Sequence, residues 1–184
     1  MRILGRASLI AGLVLVSCGT TNAGGPVARN EAPDRHEAAA TAAPAAARVA
    51  ALTMRTTDGK DIAIPTTGHP TIVYFMAAWC VSCVQGAVNL AQIYQDYGSR
   101  GLQVIAIDVD TGETPADLDR FRSLAGNPRY FWAMDAGQRA ARAYAVRSLD
   151  ATILVSGSGE ILFRSESLPD PNTLRRAVQK ALGQ

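Results

Sequence analysis

Thr71-Ile72-Val73-Tyr74-Phe75-Met76-Ala77-Ala78-Trp79-Cys80-Val81-Ser82-Cys83 decides how this chain is read. Thr71 to Ala77 carries no charge and is rich in β-branched and aromatic residues, which predicts a buried strand. Beyond the cysteines, Val84, Ala87, Val88, Leu90, Ala91, Ile93, Tyr94 and Tyr97 recur at helical spacing. Cys80 therefore falls where a strand gives way to a helix. Unpaired backbone N–H groups and the helix dipole stabilise a thiolate there. A free thiol with a pKa near ~8.5 falls to roughly 7 or lower in such a place. Cys83, one turn in, can close a disulfide with Cys80 and release a bound partner. The pair therefore implies redox chemistry.

Upstream, Leu52 to Arg55 and Asp61 to Ile64 flank Thr57-Asp58-Gly59-Lys60, the signature of a β-hairpin with an Asp-Gly turn. Downstream, Gly98 and Gly101 end the first helix. Leu102 to Val109 predicts a second buried strand, and Thr114-Pro115 opens a helix through Leu124. Tyr130 to Met134 predicts a short strand and Gly137 to Val146 a helix. Ala151 to Val155 and Ile161 to Ser165 form a hairpin around Gly157-Ser158-Gly159, a turn without the Lys or helix that a phosphate loop requires. Asp170 or Asn172 caps a last amphipathic helix through Leu182. Alternating strands and helices imply an α/β fold, a central, mostly parallel sheet flanked by helices, with the last hairpin adding antiparallel edge strands.

The N-terminus has a different character. Met1 to Arg6 is short and basic, and Ala7 to Val16 is apolar but shorter than the ~20 residues of a membrane span. Leu15-Val16-Ser17-Cys18 resembles a bacterial lipobox, which makes 1–17 a lipoprotein signal peptide and Cys18 the lipidated first residue of the mature chain. This accounts for the odd one of three cysteines without a structural disulfide. Gly19 in place of Asp weakly favours outer-membrane sorting. Residues 18–50, rich in Ala, Gly, Pro and Thr, form a flexible tether, and 51–184 the folded domain. A net charge of +2 on 184 residues does not suggest a nucleic-acid binder.

The stretch Tyr74 to Cys83, with Val104 to Asp110 as the next core strand and Tyr144 to Val155 behind, resembles the thioredoxin fold. It is most similar to TlpA-like, membrane-tethered thiol-disulfide oxidoreductases. The resemblance covers about Ala51 to Gln184. It implies Cys80 as attacking thiolate, Cys83 as resolving thiol, and a client protein with disulfides or thiols. It further implies a membrane dithiol donor and an extracytoplasmic, periplasmic-side location. A monomer is expected, with no cofactor beyond the redox disulfide and no metal.

Several positions depart from the family, among them Val88, where the family's helix proline would stand. Asp150 stands where thioredoxins place a cis-proline, and a trans peptide is expected before it. Its carboxylate would oppose a Cys80 thiolate, accept the Cys83 proton, or merely cap the loop toward water. Tyr74 replaces the buried acid of thioredoxins, and Gly86 replaces the acidic residue that TlpA-like proteins often carry after the CxxC. Val81 and Ser82 between the cysteines do not select oxidant or reductant.

The remaining candidates read as follows. Trp79 is a flat surface beside Cys80 for partner contact. Asp108 and Asp110 end a strand and face water. Tyr130, Phe131 and Trp132 are core or edge aromatics, and His36 and His69 are solvated. Alternatives to a reductase are a disulfide oxidase, a peroxiredoxin-like peroxidase and a Cu(I)-binding chaperone. The peroxidase lacks its Pro-x-x-x-Thr-x-x-Cys pattern, and the copper protein lacks a His after position 69.

Overall fold

The computed structural model describes residues 47–184. The expected signal peptide, Cys18, His36 and the expected tether up to residue 46 lie outside the described residues. Among the described residues no helix is long and apolar enough to cross a membrane.

Strands β1 (Leu52–Arg55) and β2 (Asp61–Ile64) pair antiparallel as a separate hairpin. Its turn needs Gly59 at φ +82, where a residue without Cβ is unstrained. β3 (Thr71–Met76) leads to α1 (Val81–Tyr97), then a single 3₁₀ turn and β4 (Gln103–Asp108). α2 (Pro115–Leu124), β5 (Phe131–Met134) and α3 (Arg139–Ala143) follow. β6 (Ala151–Val155), β7 (Ile161–Ser165) and α4 (Pro171–Ala181) complete the domain.

The main sheet has the order β5-β4-β3-β6-β7. β3, β4 and β5 are parallel, and β6 and β7 are antiparallel additions. One expectation changes here. Of the last hairpin only β7 is an edge strand; β6 is interior and pairs with β3 from Thr71↔Val155 to Phe75↔Ala151. The five residues of β6 are all buried, which matches a central position.

Alternate residues of β3 serve opposite faces. Ile72, Tyr74 and Met76 pack with Leu90 and Ile93 of α1, Leu118 and Phe121 of α2, and Leu174 and Val178 of α4. Val73 and Phe75 pack with Ile64 of the hairpin, with Ala140 of α3 and with Tyr144 at its C-terminal cap. Tyr74 therefore points toward α1.

α3 is shorter than its periodicity predicts. The Asp135 carboxylate accepts hydrogen bonds from the N–H groups of Arg139 and Ala141, both at 2.9 Å, and fixes where the helix begins. Ala145 adopts φ +49 and ends it. The folded part also starts before Ala51. Arg48 bridges Glu160, and Val49 N donates to Gly159 O at 2.9 Å, so the end of the expected tether lies along the last hairpin.

Candidate active site

Cys80 and Cys83 are joined as a disulfide with Cα atoms 5.3 Å apart. Cys80 is the N-cap of α1, extended at φ −78, ψ 102. No side chain caps this end and no acidic residue sits in the first turn, so the dipole there is available to a sulfur anion. The two sulfurs differ in access. Cys80 is 7% exposed, whereas Cys83 is fully buried. Trp79 at 63% and Val81 at 86% exposure stand on either side of Cys80. Ser82 is exposed, and its hydroxyl lies 3.4 Å from the Cys80 sulfur.

The loop before Cys80 is held by acids that the sequence reading places in solvent or passes over. Glu113 accepts the backbone N–H of Ala78 at 2.7 Å and of Trp79 at 3.0 Å. Asp110 accepts the Trp79 indole N–H at 2.7 Å. Asp108 does not face water. It is fully buried at the end of β4, and its Oδ2 has no hydrogen-bond partner. Burial, and then the neighbouring Glu113 carboxyl, push its pKa up to about 7. Glu113 was legible only as the residue before the helix cap Thr114. The aromatic expectations hold for Tyr130 and Trp132, which are core residues, and Phe131 is half-buried. His69 is exposed.

Behind the cysteines three of the departing positions, Asp150, Tyr74 and Gly86, meet. Asp150 is 5% exposed and does not point to water, which removes the capping role as its explanation. The peptide before it is trans. Its backbone sits at φ +62, in the left-handed region that Asp enters more readily than most residues. The Tyr74 hydroxyl lies 2.5 Å from Asp150 Oδ1 and 2.9 Å from the Cys83 carbonyl oxygen. Burial first, then the Asp150 carboxylate, push the Tyr74 pKa far above the ordinary phenol range, so it stays a hydrogen-bond donor. A Cβ at Gly86 would sit 2.4 Å from the Tyr74 hydroxyl and 2.8 Å from Asp150 Oδ1. Gly86 is thus the space that the Tyr74–Asp150 pair occupies. A carboxylate oxygen of Asp150 and both sulfurs lie within 4.8 Å of one another.

Residues 42–164 match the AhpC/TSA family. The chain belongs to the AhpC/TSA family. It is 32% identical to the thiol:disulfide interchange protein CycY of Rhizobium leguminosarum bv. viciae over 78% of this chain and 74% of that protein. It is 23% identical to the sporulation thiol-disulfide oxidoreductase A of Bacillus subtilis over 61% of this chain and 68% of that one. Among solved structures, a putative thiol:disulfide interchange protein DsbE from Chlorobium tepidum superposes with a TM-score of 0.68 at 22% identity, covering 75% of this chain and 97% of that one. A thioredoxin-like protein from Aeropyrum pernix gives 0.62 at 28% identity, covering 71% and 89%. The fold is thioredoxin-like. With the Cys80–Cys83 disulfide at the start of α1, this AhpC/TSA chain stands among the thiol-disulfide oxidoreductases.

Proposed function

We propose that the protein is an extracytoplasmic, lipid-anchored reductase of client disulfides, tethered through Cys18 and recharged by a membrane dithiol. The observation that carries the reading is the unequal access of one bonded pair, Cys80 reaching solvent by a narrow 7% edge beside the exposed Trp79 and Cys83 fully buried. In the reduced protein the Cys80 thiolate attacks a client disulfide. One client sulfur becomes bonded to Cys80 and the other leaves as a thiolate that takes a proton from water. Cys83 then attacks Cys80, expels the second client thiol and closes the disulfide. Two electrons pass to the client, and a membrane dithiol returns them. Trp79 and Val81 supply the apolar contact for the client chain around the scissile bond.

The arrangement of charge supports a reducing direction of electron flow. Strongly oxidising pairs owe their potential to a stabilised reduced form. Here the Asp150 carboxylate lies within 4.8 Å of both sulfurs and disfavours thiolate, which favours the disulfide and a reducing role.

Trapping tests the assignment. Cys83→Ser should accumulate client mixed disulfides through Cys80, and Cys80→Ser should accumulate none. Traps found only with Cys80→Ser would reverse the roles. A potential for the pair near that of strong oxidants, about −120 mV, would make the protein an oxidase.

A further inference from the structure

Resolution needs a thiolate at Cys83, and Cys83 has no access to water to lose its proton. Among the described residues, no His, Asp or Glu other than Asp150 joins the two sulfurs in one cluster. We propose that Asp150 is the base that takes the Cys83 proton during resolution, held in place by Tyr74 in the space left open at Gly86. This rests on the disulfide-exchange reading above.

The charge of the pocket favours the step at that moment. In the mixed disulfide Cys80 is bonded to the client and neutral. The pocket then holds one negative charge, on Asp150. Moving the proton from Cys83 Sγ to a carboxylate oxygen transfers that charge to sulfur without adding a second. Cys83 then attacks Cys80 Sγ, the Cys80–client bond breaks, and the client thiolate leaves with the electron pair. Asp150 gives its proton to solvent as the product departs. No oxidant beyond the client disulfide is required.

Three features keep the carboxylate in reach. The pairing of Phe75 with Ala151 brings the residue before β6 to the end of β3, beside the start of α1. Asp150 sits in the left-handed region with its side chain buried. Tyr74 has a single hydroxyl proton and faces two acceptors, Asp150 Oδ1 and the Cys83 carbonyl, so it links the carboxylate to the turn that carries Cys83. Among the described residues, the titratable side chains around Asp150 are Tyr74 from β3, Cys80 at the N-cap of α1 and Cys83 within it, with Tyr130 next to Tyr74.

Single-turnover exchange separates this role from a structural one. The reduced full-length protein is mixed with excess oxidised glutathione, quenched in acid, and the glutathionyl adduct on Cys80 followed by mass spectrometry. The wild type should resolve the adduct at a nearly constant rate between pH 5.5 and 8. In Asp150→Asn, which tolerates the same backbone and keeps an acceptor for Tyr74, the rate should fall about tenfold per pH unit below the ordinary thiol pKa of ~8.5, and meet the wild type near pH 9. An equal loss at every pH, or no loss, overturns the proposal. Tyr74→Phe disturbs the same pocket but keeps the carboxylate, and its profile should stay flat. A steep profile there would also overturn it. Failure of the wild type to form either the adduct or the Cys80–Cys83 disulfide with oxidised glutathione would sink the exchange reading itself.

Discussion

Gly86 is the residue whose meaning changes most between sequence and structure. In the sequence it marks a missing acid. In the structure it is the room into which Tyr74 and Asp150 fit, with a Cβ only 2.4 Å from the Tyr74 hydroxyl. Gly86→Ala should therefore destabilise the protein although it sits in a helix. Helix propensity favours the change by ~1 kcal/mol, and overpacking opposes it by ~1–3 kcal/mol. Urea denaturation should show a net loss of about 1 kcal/mol, and Tyr74→Phe in the same chain should recover part of it, because the closest atom is gone. Full additivity of the two changes would mean that the crowding is relieved elsewhere. Cys80, Cys83 and Trp79 were legible because a short local pattern defines them. The burial of Asp150 was not, because it depends on which strand β6 pairs with and on a side chain that Gly86 lacks.

At the scale of elements, the loop from β4 to α2 acts as a clamp on the loop from β3 to α1. Thr114 caps α2 in a reciprocal box with Asp117, which fixes Glu113 just ahead of it. Glu113 then takes the two N–H groups that precede Cys80. Asp108 lies at the base of the clamp with its pKa pushed up to about 7. A carboxyl raised in the folded state adds stability that is full below its unfolded pKa of ~3.9 and is lost as pH rises through the folded value. Between pH 4 and 7 the wild type should lose stability relative to Asp108→Asn, at up to ~1.4 kcal/mol per pH unit, and the difference should level off above pH 7. Denaturation of both proteins at pH 4.5, 6 and 7.5 measures it; a difference independent of pH would show that Asp108 ionises as an ordinary surface carboxylate. Acidic residues held low by hydrogen bonds, such as Asp110, Asp117 and Asp170, act in the opposite sense and at lower pH, so they do not mask this window. The strands and helices themselves were legible, since periodicity and capping residues are local. The clamp was not, because Glu113 is joined to Trp79 across 34 positions and carries no motif.

At the scale of the molecule, redox state and folding stability form one cycle. The disulfide and the dithiol share a folded scaffold, and unfolding removes whatever that scaffold does to either. Asp150 reaches the pair only because β6 lies inside the sheet beside β3. Its carboxylate opposes thiolate in the folded reduced state and is indifferent to the neutral disulfide. The oxidised protein should therefore be the more stable form, by more than its short four-residue loop contributes. In Asp150→Asn the reduced fold loses that repulsion. The stability gap between oxidised and reduced forms should narrow, and the reduction potential should rise, by 30 mV for each ~1.4 kcal/mol of narrowing. Denaturing each form of both proteins, and measuring the potentials against glutathione, closes the cycle from two sides. A gap that widens in Asp150→Asn would mean that hydrogen bonding from a protonated Asp150 stabilises the dithiol, and would reverse the inferred direction of electron flow.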